Sequence, residues 1–555
     1  MEKRTIVIVG GVAGGATAAA HARRLSEDAR IILFERGPHV SFANCGLPYY
    51  IGGEIEDKAD LLVQTPEGLR SRFNLDVRVL SEVMEIDPAG KTVRVLDHRE
   101  GREYRESYDE LVISTGASPL KPRIPGIDNP AHFSVRGIPD VEAILEWIDE
   151  REPKQAVVVG GGFIGLEMAE QIHRRGLKTS VVEAAPQVMV PFDPEMAAWL
   201  HGELRRNGID LYLGDGVAKF DTPRAGEEEY TVVELGSGKR LPAGLVILGI
   251  GVRPESKLIR DAGLETGQRG GIVVDDRLRT SDPNIWALGD AIEVVDFVTG
   301  EKVMVPLAGP ANRQGRIVAE NIFGGDMKYP GTLGTAILRL FDMTAACTGA
   351  SEKTLKRLGI AHEKVYLHPA SHATYYPGAE RIAMKLLFDP ASGRLLGAQC
   401  VGRDGVDKRI DVLATAIKSG LTVHDLEDLE LAYAPPYGSA KDPVNLAGMV
   451  AQHVVHDDVR NIHWDEIGDL EGNGRVLLDV RDPDERAKGC IEPSLHIPLP
   501  ELRERMGELP RDREIVVYCQ TGQRAYFACR QLHLNGFKVK NLSGAYRTWK
   551  TASGS

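Results

Sequence analysis

The chain has 555 residues, enough for three to four domains at roughly 150 residues each, every one large enough to bury its own core. Lys and Arg number 67 against 80 Asp and Glu, and the resulting net charge of −13 argues against nucleic acid or an anionic lipid surface as a partner. With 43% hydrophobic and 26% charged residues and no apolar run of the roughly 18 residues a spanning helix needs, a water-soluble protein without a membrane partner is expected.

The start, Met1-Glu2-Lys3-Arg4, runs straight into a β-branched segment and does not look like a signal peptide, so a cytoplasmic location is expected. Thr5–Val9 reads as a strand, Gly10-Gly11-Val12-Ala13-Gly14-Gly15 as a tight loop, and the alanine-rich stretch to Leu25 as a helix. A second strand, Arg30–Phe34, ends in Glu35, which lies 20 residues after Gly15. That is the spacing of a dinucleotide-binding β-turn-α-β unit whose terminal acid accepts from the adenosine ribose. The pattern returns at Ala156–Val159, Gly160-Gly161-Gly162-Phe163-Ile164-Gly165, a helix to about Arg175, a strand Thr179–Val182, and Glu183. A single glycine loop reads as easily as a tight turn, and Val12 replaces the middle glycine of the first copy. Two copies, each with strand, helix and acid, point to two dinucleotides. An acid at the second ribose disfavours a 2′-phosphate, so the second site is expected to take NADH, with Lys178 and Arg174 near enough to leave NADPH open.

Two apolar strands ending in glycine, Leu111–Ala117 with Thr115 and Gly116, and Leu245–Gly251 with Gly249 and Gly251, belong near the close of each nucleotide segment. Asn284–Asp290 ends a later strand in Gly-Asp. From about 325 the chain reads as a meander, with strands Arg381–Phe388 and Leu395–Val401 about an Asp-Pro-Ala-Ser-Gly turn. The His-rich stretch Gln452–Asn461 reads as a linker, and a small α/β unit with strands Val476–Val480 and Glu514–Tyr518 follows.

Six cysteines with no Cys-x-x-Cys pair fit neither a disulfide framework nor a zinc site, so no metal is expected and any functional thiol acts singly. Cys45, in Ser41-Phe42-Ala43-Asn44-Cys45-Gly46-Leu47-Pro48, follows the first acid-terminated strand. Pro48 suits a helix's first turn, and the helix dipole would then favour a thiolate at Cys45. Without a second cysteine close by, its oxidised form must be a mixed disulfide, a persulfide or a sulfenic acid. Cys519 opens Cys519-Gln520-Thr521-Gly522-Gln523-Arg524 between a strand and a helix, where backbone amides can nest the sulfur and Arg524 adds positive charge. Cys347, Cys400, Cys490 and Cys529 have no such setting and read as structural.

At these residues the chain resembles the pyridine-nucleotide disulfide reductase superfamily, and within it the coenzyme A disulfide reductases fused to a C-terminal rhodanese domain, with particular similarity to NADH-dependent persulfide reductases. Gly-Gly-Val-Ala-Gly-Gly at 10–15, Ser-Phe-Ala-Asn-Cys-Gly-Leu-Pro-Tyr at 41–49, Tyr375-Tyr376-Pro377-Gly378 and Tyr433-Ala434-Pro435-Pro436-Tyr437 carry it. So do Leu478-Asp479-Val480-Arg481, the six-residue loop from Cys519 to Arg524, and Leu542-Ser543-Gly544. The resemblance implies FAD at the first loop, with Glu35 on its ribose, Asp290 near its ribityl chain, and Arg36, Thr115, Gly116, Pro306 and Ala308 around it. It implies NADH at the second loop, with Gly249 and Gly251. It implies a coenzyme A site of Thr17, Arg24, Ser41, Asn44, Tyr375 and Lys441, and a homodimer in which Tyr375 and Tyr433 of one subunit approach Cys45 of the other.

The expected fold is α/β, with two Rossmann-like dinucleotide-binding domains, an α+β dimerisation domain and a C-terminal rhodanese-like α/β domain. Expected boundaries are 1–150 with 270–324 for FAD, 151–269 for NADH, 325–445 for dimerisation, 446–462 for a linker and 463–555 for the rhodanese domain. The expected activity is reduction of a coenzyme A persulfide, polysulfide or disulfide by NADH. The rivals are an oxidase or peroxidase cycling Cys45 through sulfenic acid, and a sulfurtransferase with a redox-sensing flavin part.

Overall fold

Thr5–Val9 and Gln155–Val159 are nearly continuous apolar runs because each becomes the centre of a parallel sheet covered on both faces. In a computed structural model that describes residues 4–222, 230–468 and 474–554, the first sheet runs in the order 285–287, 110–113, 5–9, 30–35, 76–79, all parallel. The second runs 210–213, 178–183, 155–159, 245–248, 132–133, again parallel. Both thus place the glycine-loop strand between the acid-terminated strand and the later glycine-terminated one, the arrangement of a mononucleotide-binding half. Antiparallel sheets of three strands accompany each, at 81–107 and at 217–243. These elements form one unit, Met1–Pro186 with Ile209–Gly334.

The second unit comprises Gln187–Gly208 with Thr335–Ser555. Its antiparallel sheet has the order 336–340, 343–349, 395–402, 383–388, 363–367, with the expected turn at Asp389–Gly393, where Asp389 accepts from the Ala391 and Ser392 N–H groups. A parallel sheet, 461–462, 539–542, 514–518, 475–479, 495–496, carries the C-terminal α/β fold. The expected mixed α/β architecture is present.

Two of the expected stretches carry structure that their spacing does not show. Residues 187–208, placed by spacing in the NADH domain, pack with the second unit, because Asp193 and Glu195 on this segment both bind the Lys385 ammonium of the antiparallel sheet, at 2.8 and 2.5 Å. The stretch 446–462 is largely helix: Pro443–Val455 starts on an Asp442 cap and buries Val444, Ala447 and Ala451, so its apolar face rather than its histidines decides its structure. Among the described residues, no helix is long and apolar enough to cross a membrane.

Candidate active site

The two glycine loops have the same geometry. Gly10 and Gly160 lie at φ +99° and +107°, and a Cβ on either would stand 2.1 or 2.2 Å from the carbonyl oxygen of Ser114 or Gly249. Gly15 and Gly165 pack so close to the preceding turn that a Cβ would meet the Gly10 or Gly160 carbonyl oxygen at 1.9 or 2.0 Å. Only glycine fits the four places. The acids match too. Glu35 accepts from Gly11 N at 2.9 Å and Gly37 N at 2.8 Å, and Glu183 from Gly161 N at 2.7 Å and Ala185 N at 2.8 Å. Each carboxylate is braced against its own loop, with lone pairs left for a ribose diol. Helices Ala13–Leu25 and Phe163–Arg174 begin directly after these turns, with Val12 and Gly162 as their N-cap residues, so the first N–H groups are free for a pyrophosphate. The cradle fits a dinucleotide at both places.

Around the first loop, the Thr115 hydroxyl donates to the Glu255 carbonyl at 2.6 Å and Gly116 turns at φ +69°. Arg36 meets Glu255 at 3.4 Å, so its charge is shared rather than free. Asp290, in the short turn Gly289–Ala291, has its carboxyl pushed up to about 6 by burial. Pro306 is exposed just before the helix Ala308–Ile322. Gly249 backs onto Gly165 and Gly251 turns at φ +112°. Lys178 pairs with Asp210 at 3.7 Å, and Arg174 with Glu54 and Glu170 at 3.1 and 2.9 Å, so neither cation near the second loop is uncommitted.

Cys45 is exposed in a 3₁₀ turn, Asn44–Gly46, and its Sγ lies 3.8 Å from Asn44 Oδ1. The helix after it, Leu47–Ile51, does carry Pro48 in its first turn but has only five residues. The surroundings of Cys45 oppose the expected lowering of its thiol pKa. Although the residue reaches solvent, partial loss of water around Sγ pushes the thiol up, and the Glu167 and Asp290 carboxylates push it further. A five-residue helix offers too little dipole to offset two carboxylates. Glu167, whose carboxylate accepts from the Tyr49 hydroxyl at 3.4 Å, escaped the sequence reading because nothing in the spacing links the second loop's helix to Cys45. Of the residues expected for coenzyme A, Thr17 donates to Asn312 at 2.7 Å, Arg24 is exposed beside His21, Ser41 takes a left-handed backbone at φ +46°, and Asn44 is exposed.

Tyr375, Tyr433 and Lys441 lie in the second unit and are exposed. The structure joins the two tyrosines, whose hydroxyls are 2.8 Å apart. In the C-terminal fold the Gly522 N–H donates to Cys519 Sγ at 3.1 Å, with Gly522 at φ +113°, which is one backbone donor of the several expected around this sulfur. Arg524 turns to Asp482 at 3.0 Å and Glu485 at 2.7 Å, so it frames the loop as part of an ion-pair group. Behind the loop, Arg481 bonds Asp479, two residues before it, at 2.8 Å and bridges to Gln520 at 3.2 Å, the second a contact that only the fold creates. Burial pushes Cys347 and Cys400 up to about 12 and Cys529 higher still, as structural thiols require. Asp193, Glu195 and Glu352 converge closely enough to bind a cation, but the Lys385 ammonium sits among them within 2.8 Å of each.

A family model described as pyridine nucleotide-disulphide oxidoreductase matches residues 4–315, its dimerisation domain matches 335–443, and a rhodanese-like domain matches 464–552. The chain belongs to the pyridine nucleotide-disulphide oxidoreductase family. This oxidoreductase is 36% identical to a coenzyme A disulfide reductase of Staphylococcus haemolyticus over 450 residues, 81% of this chain and 99% of that one. It is similar to the crystal structure of reduced Bacillus anthracis CoADR-RHD, with a TM-score of 0.97 and 50% identity over 100% of this chain and 99% of that one. It is also similar to a NAD-dependent persulfide reductase from A. fulgidus, with a TM-score of 0.92 and 39% identity over 98% and 100% of the two chains. The family implies FAD and a nicotinamide coenzyme, which the two glycine cradles fit.

Proposed function

We propose that this oxidoreductase spends NADH on the reduction of a coenzyme A persulfide or polysulfide, and of coenzyme A disulfide, at Cys45, while Cys519 carries sulfane sulfur. One observation carries the reading: a solvent-facing single thiol beside the first dinucleotide cradle shares its chain with a second thiol already nested by a backbone N–H. FAD, when bound, supplies two-electron transfer between NADH and the Cys45 sulfur. Glu35 and the 10–15 loop hold that group, while Glu183, with Lys178 and Arg174 both occupied by acids, favours NADH over NADPH. The Cys45 thiolate attacks the outer sulfur of R–S–SH, a new S–S bond forms to give a Cys45 persulfide as the old one breaks, and the departing R–S⁻ takes up a proton to become R–SH. Two electrons and a proton then release the sulfur from Cys45 as sulfide. The net reaction is R–S–SH + NADH + H⁺ → R–SH + H₂S + NAD⁺. In a homodimer through 325–445, the Tyr375 and Tyr433 hydroxyl pair is the proton donor for the thiolate leaving the partner subunit's site. Thr17, Arg24, Ser41, Asn44 and Lys441 hold the coenzyme A moiety, and the setting is the cytoplasm.

The test is anaerobic NADH consumption with coenzyme A persulfide, coenzyme A disulfide and polysulfide offered separately. Cys45→Ser is expected to lose at least 100-fold with every acceptor, whereas Cys519→Ser keeps turnover of ready-made persulfide and loses turnover of sulfur delivered from a rhodanese donor. No turnover with any acceptor, together with rapid NADH loss once oxygen or peroxide is admitted, would put the oxidase reading first.

A further inference from the structure

Behind the Cys519 loop, the second unit brings together two guanidinium groups, Arg547 and Arg381, with one exposed acid, Glu380, beside Arg547. Arg547 lies in the first turn of the helix Ala545–Ser553, and its N–H donates to the carbonyl of Gln520, the residue after Cys519, at 3.2 Å. Its guanidinium stacks over Trp199 at 5.1 Å, and its Nε is buried without a hydrogen-bond partner. Trp199 also lies 5.9 Å, ring to ring, from His368, which is buried and bonded through Nε2 to the Thr548 hydroxyl at 2.8 Å. His368 also hydrogen-bonds the backbone of Gly544, which precedes the same helix. Arg381 closes the group by donating to the His368 carbonyl at 3.0 Å, and its side chain is otherwise exposed. The acid that offsets the charge of Arg547 is the exposed Glu380, while burial and then Arg381 oppose it.

Two like charges so placed, one with a buried guanidinium nitrogen without a partner and with an exposed carboxylate as counter-charge, leave room for an anion in the balance. A guanidinium presents paired N–H groups that match a phosphate or sulfonyl oxyanion, and Trp199 keeps that of Arg547 in a fixed plane. We propose that Arg547 and Arg381, walled by Trp199 and His368, form an oxyanion site beside the Cys519 loop. The ligand is a tetrahedral oxyanion, either the phosphate end of a phosphorylated thiol carrier or a small sulfur oxyanion that donates to Cys519. Its purpose rests on the sulfur-carrying role proposed above for Cys519, but binding itself does not.

The test is calorimetric titration of the full chain with coenzyme A, dephospho-coenzyme A, inorganic phosphate and thiosulfate, for the parent, Arg547→Met, Arg547→Lys and the exposed Arg381→Met. A binding event weakened at least tenfold by both methionine variants and partly restored by lysine is expected. The KM of Cys519-dependent sulfur transfer should rise by a similar factor with kcat within about twofold, while Cys45-dependent NADH consumption stays at the parental level. Loss confined to coenzyme A identifies the carrier as ligand, and loss confined to thiosulfate identifies the free oxyanion. Parental affinity and KM in a folded Arg381→Met together with a folded Arg547→Met would overturn the proposal. Failure of the persulfide reading would show instead as a parent without persulfide-dependent NADH consumption, which leaves the titrations unaffected.

Discussion

Replacing Glu183 by glutamine tests the coenzyme preference at its physical source. The Glu183 carboxylate spends one lone pair of each oxygen on Gly161 N at 2.7 Å and Ala185 N at 2.8 Å, so a ribose diol meets a fixed, charged acceptor. Glutamine retains one oxygen and loses one of the two loop bonds, a cost that falls on both coenzymes alike and cancels in their ratio. Two terms remain. A charged acceptor exceeds a neutral one by about 1 kcal/mol, which weakens NADH. Removing a carboxylate about 4 Å from a phosphate charge relieves roughly 1 kcal/mol if water screens the pair and about 4 kcal/mol near a protein surface, which helps NADPH. Their sum, about 2 to 5 kcal/mol, should lower the ratio of kcat/KM for NADH to that for NADPH by roughly 30-fold or more. The assay is steady-state NAD(P)H consumption with one saturating acceptor, and Glu35→Gln is the control, because the same carboxylate geometry at the first loop should alter FAD retention and leave the ratio alone. A ratio within threefold of the parent in Glu183→Gln would refute the argument.

Lys385→Met should destabilise the second unit by about 3 to 5 kcal/mol, because Asp193 and Glu195 lose the one ammonium that both contact. At the scale of this unit that is a fall in Tm of about 6 to 20 °C by calorimetry. The parental Asp193 carboxyl is depressed: burial opposes ionisation, but Lys385 holds it below its usual range, so its contribution is present above pH about 4 and lost as the pH falls below that. Without the lysine Asp193 titrates higher, so the gap between variant and parent should narrow from pH 8 to pH 5, and a gap that widens would contradict the electrostatic account. The same unit should be acid-sensitive for a second reason. Burial, aided by nearby cations, holds His368 and His463 neutral with pKa values of about 3, and His201 at about 4. Groups depressed below the unfolded value of about 6.5 lend stability above that pH and lose it as the pH falls. Between pH 7.5 and 5.5 the loss is about 1.4 kcal/mol for each, up to about 4 kcal/mol together, and His368→Gln should flatten its share of the slope in a Tm-against-pH series.

Much of this protein is local, and the sequence determined that part by itself. The strand, glycine loop, helix and acid of each nucleotide unit lie within some thirty residues, so their spacing could be read directly, and the paired loops at Gly10–Gly15 and Gly160–Gly165 match it. The Cys519 nest is equally local, since Gly522 reaches back only three residues to the sulfur. What joins distant segments was decided by the tertiary structure alone. Burial first, and then Glu167 and Asp290 from 122 and 245 residues along the chain, push the Cys45 thiol up where the local sequence leads one to expect a lowering. The Lys385 cluster ties residues 187–208 to the antiparallel sheet of the second unit, and Arg547 meets Trp199 across 348 residues. Local backbone geometry follows from neighbouring residue types, whereas burial and charge are fields summed over everything packed nearby, and only the folded chain says what that is.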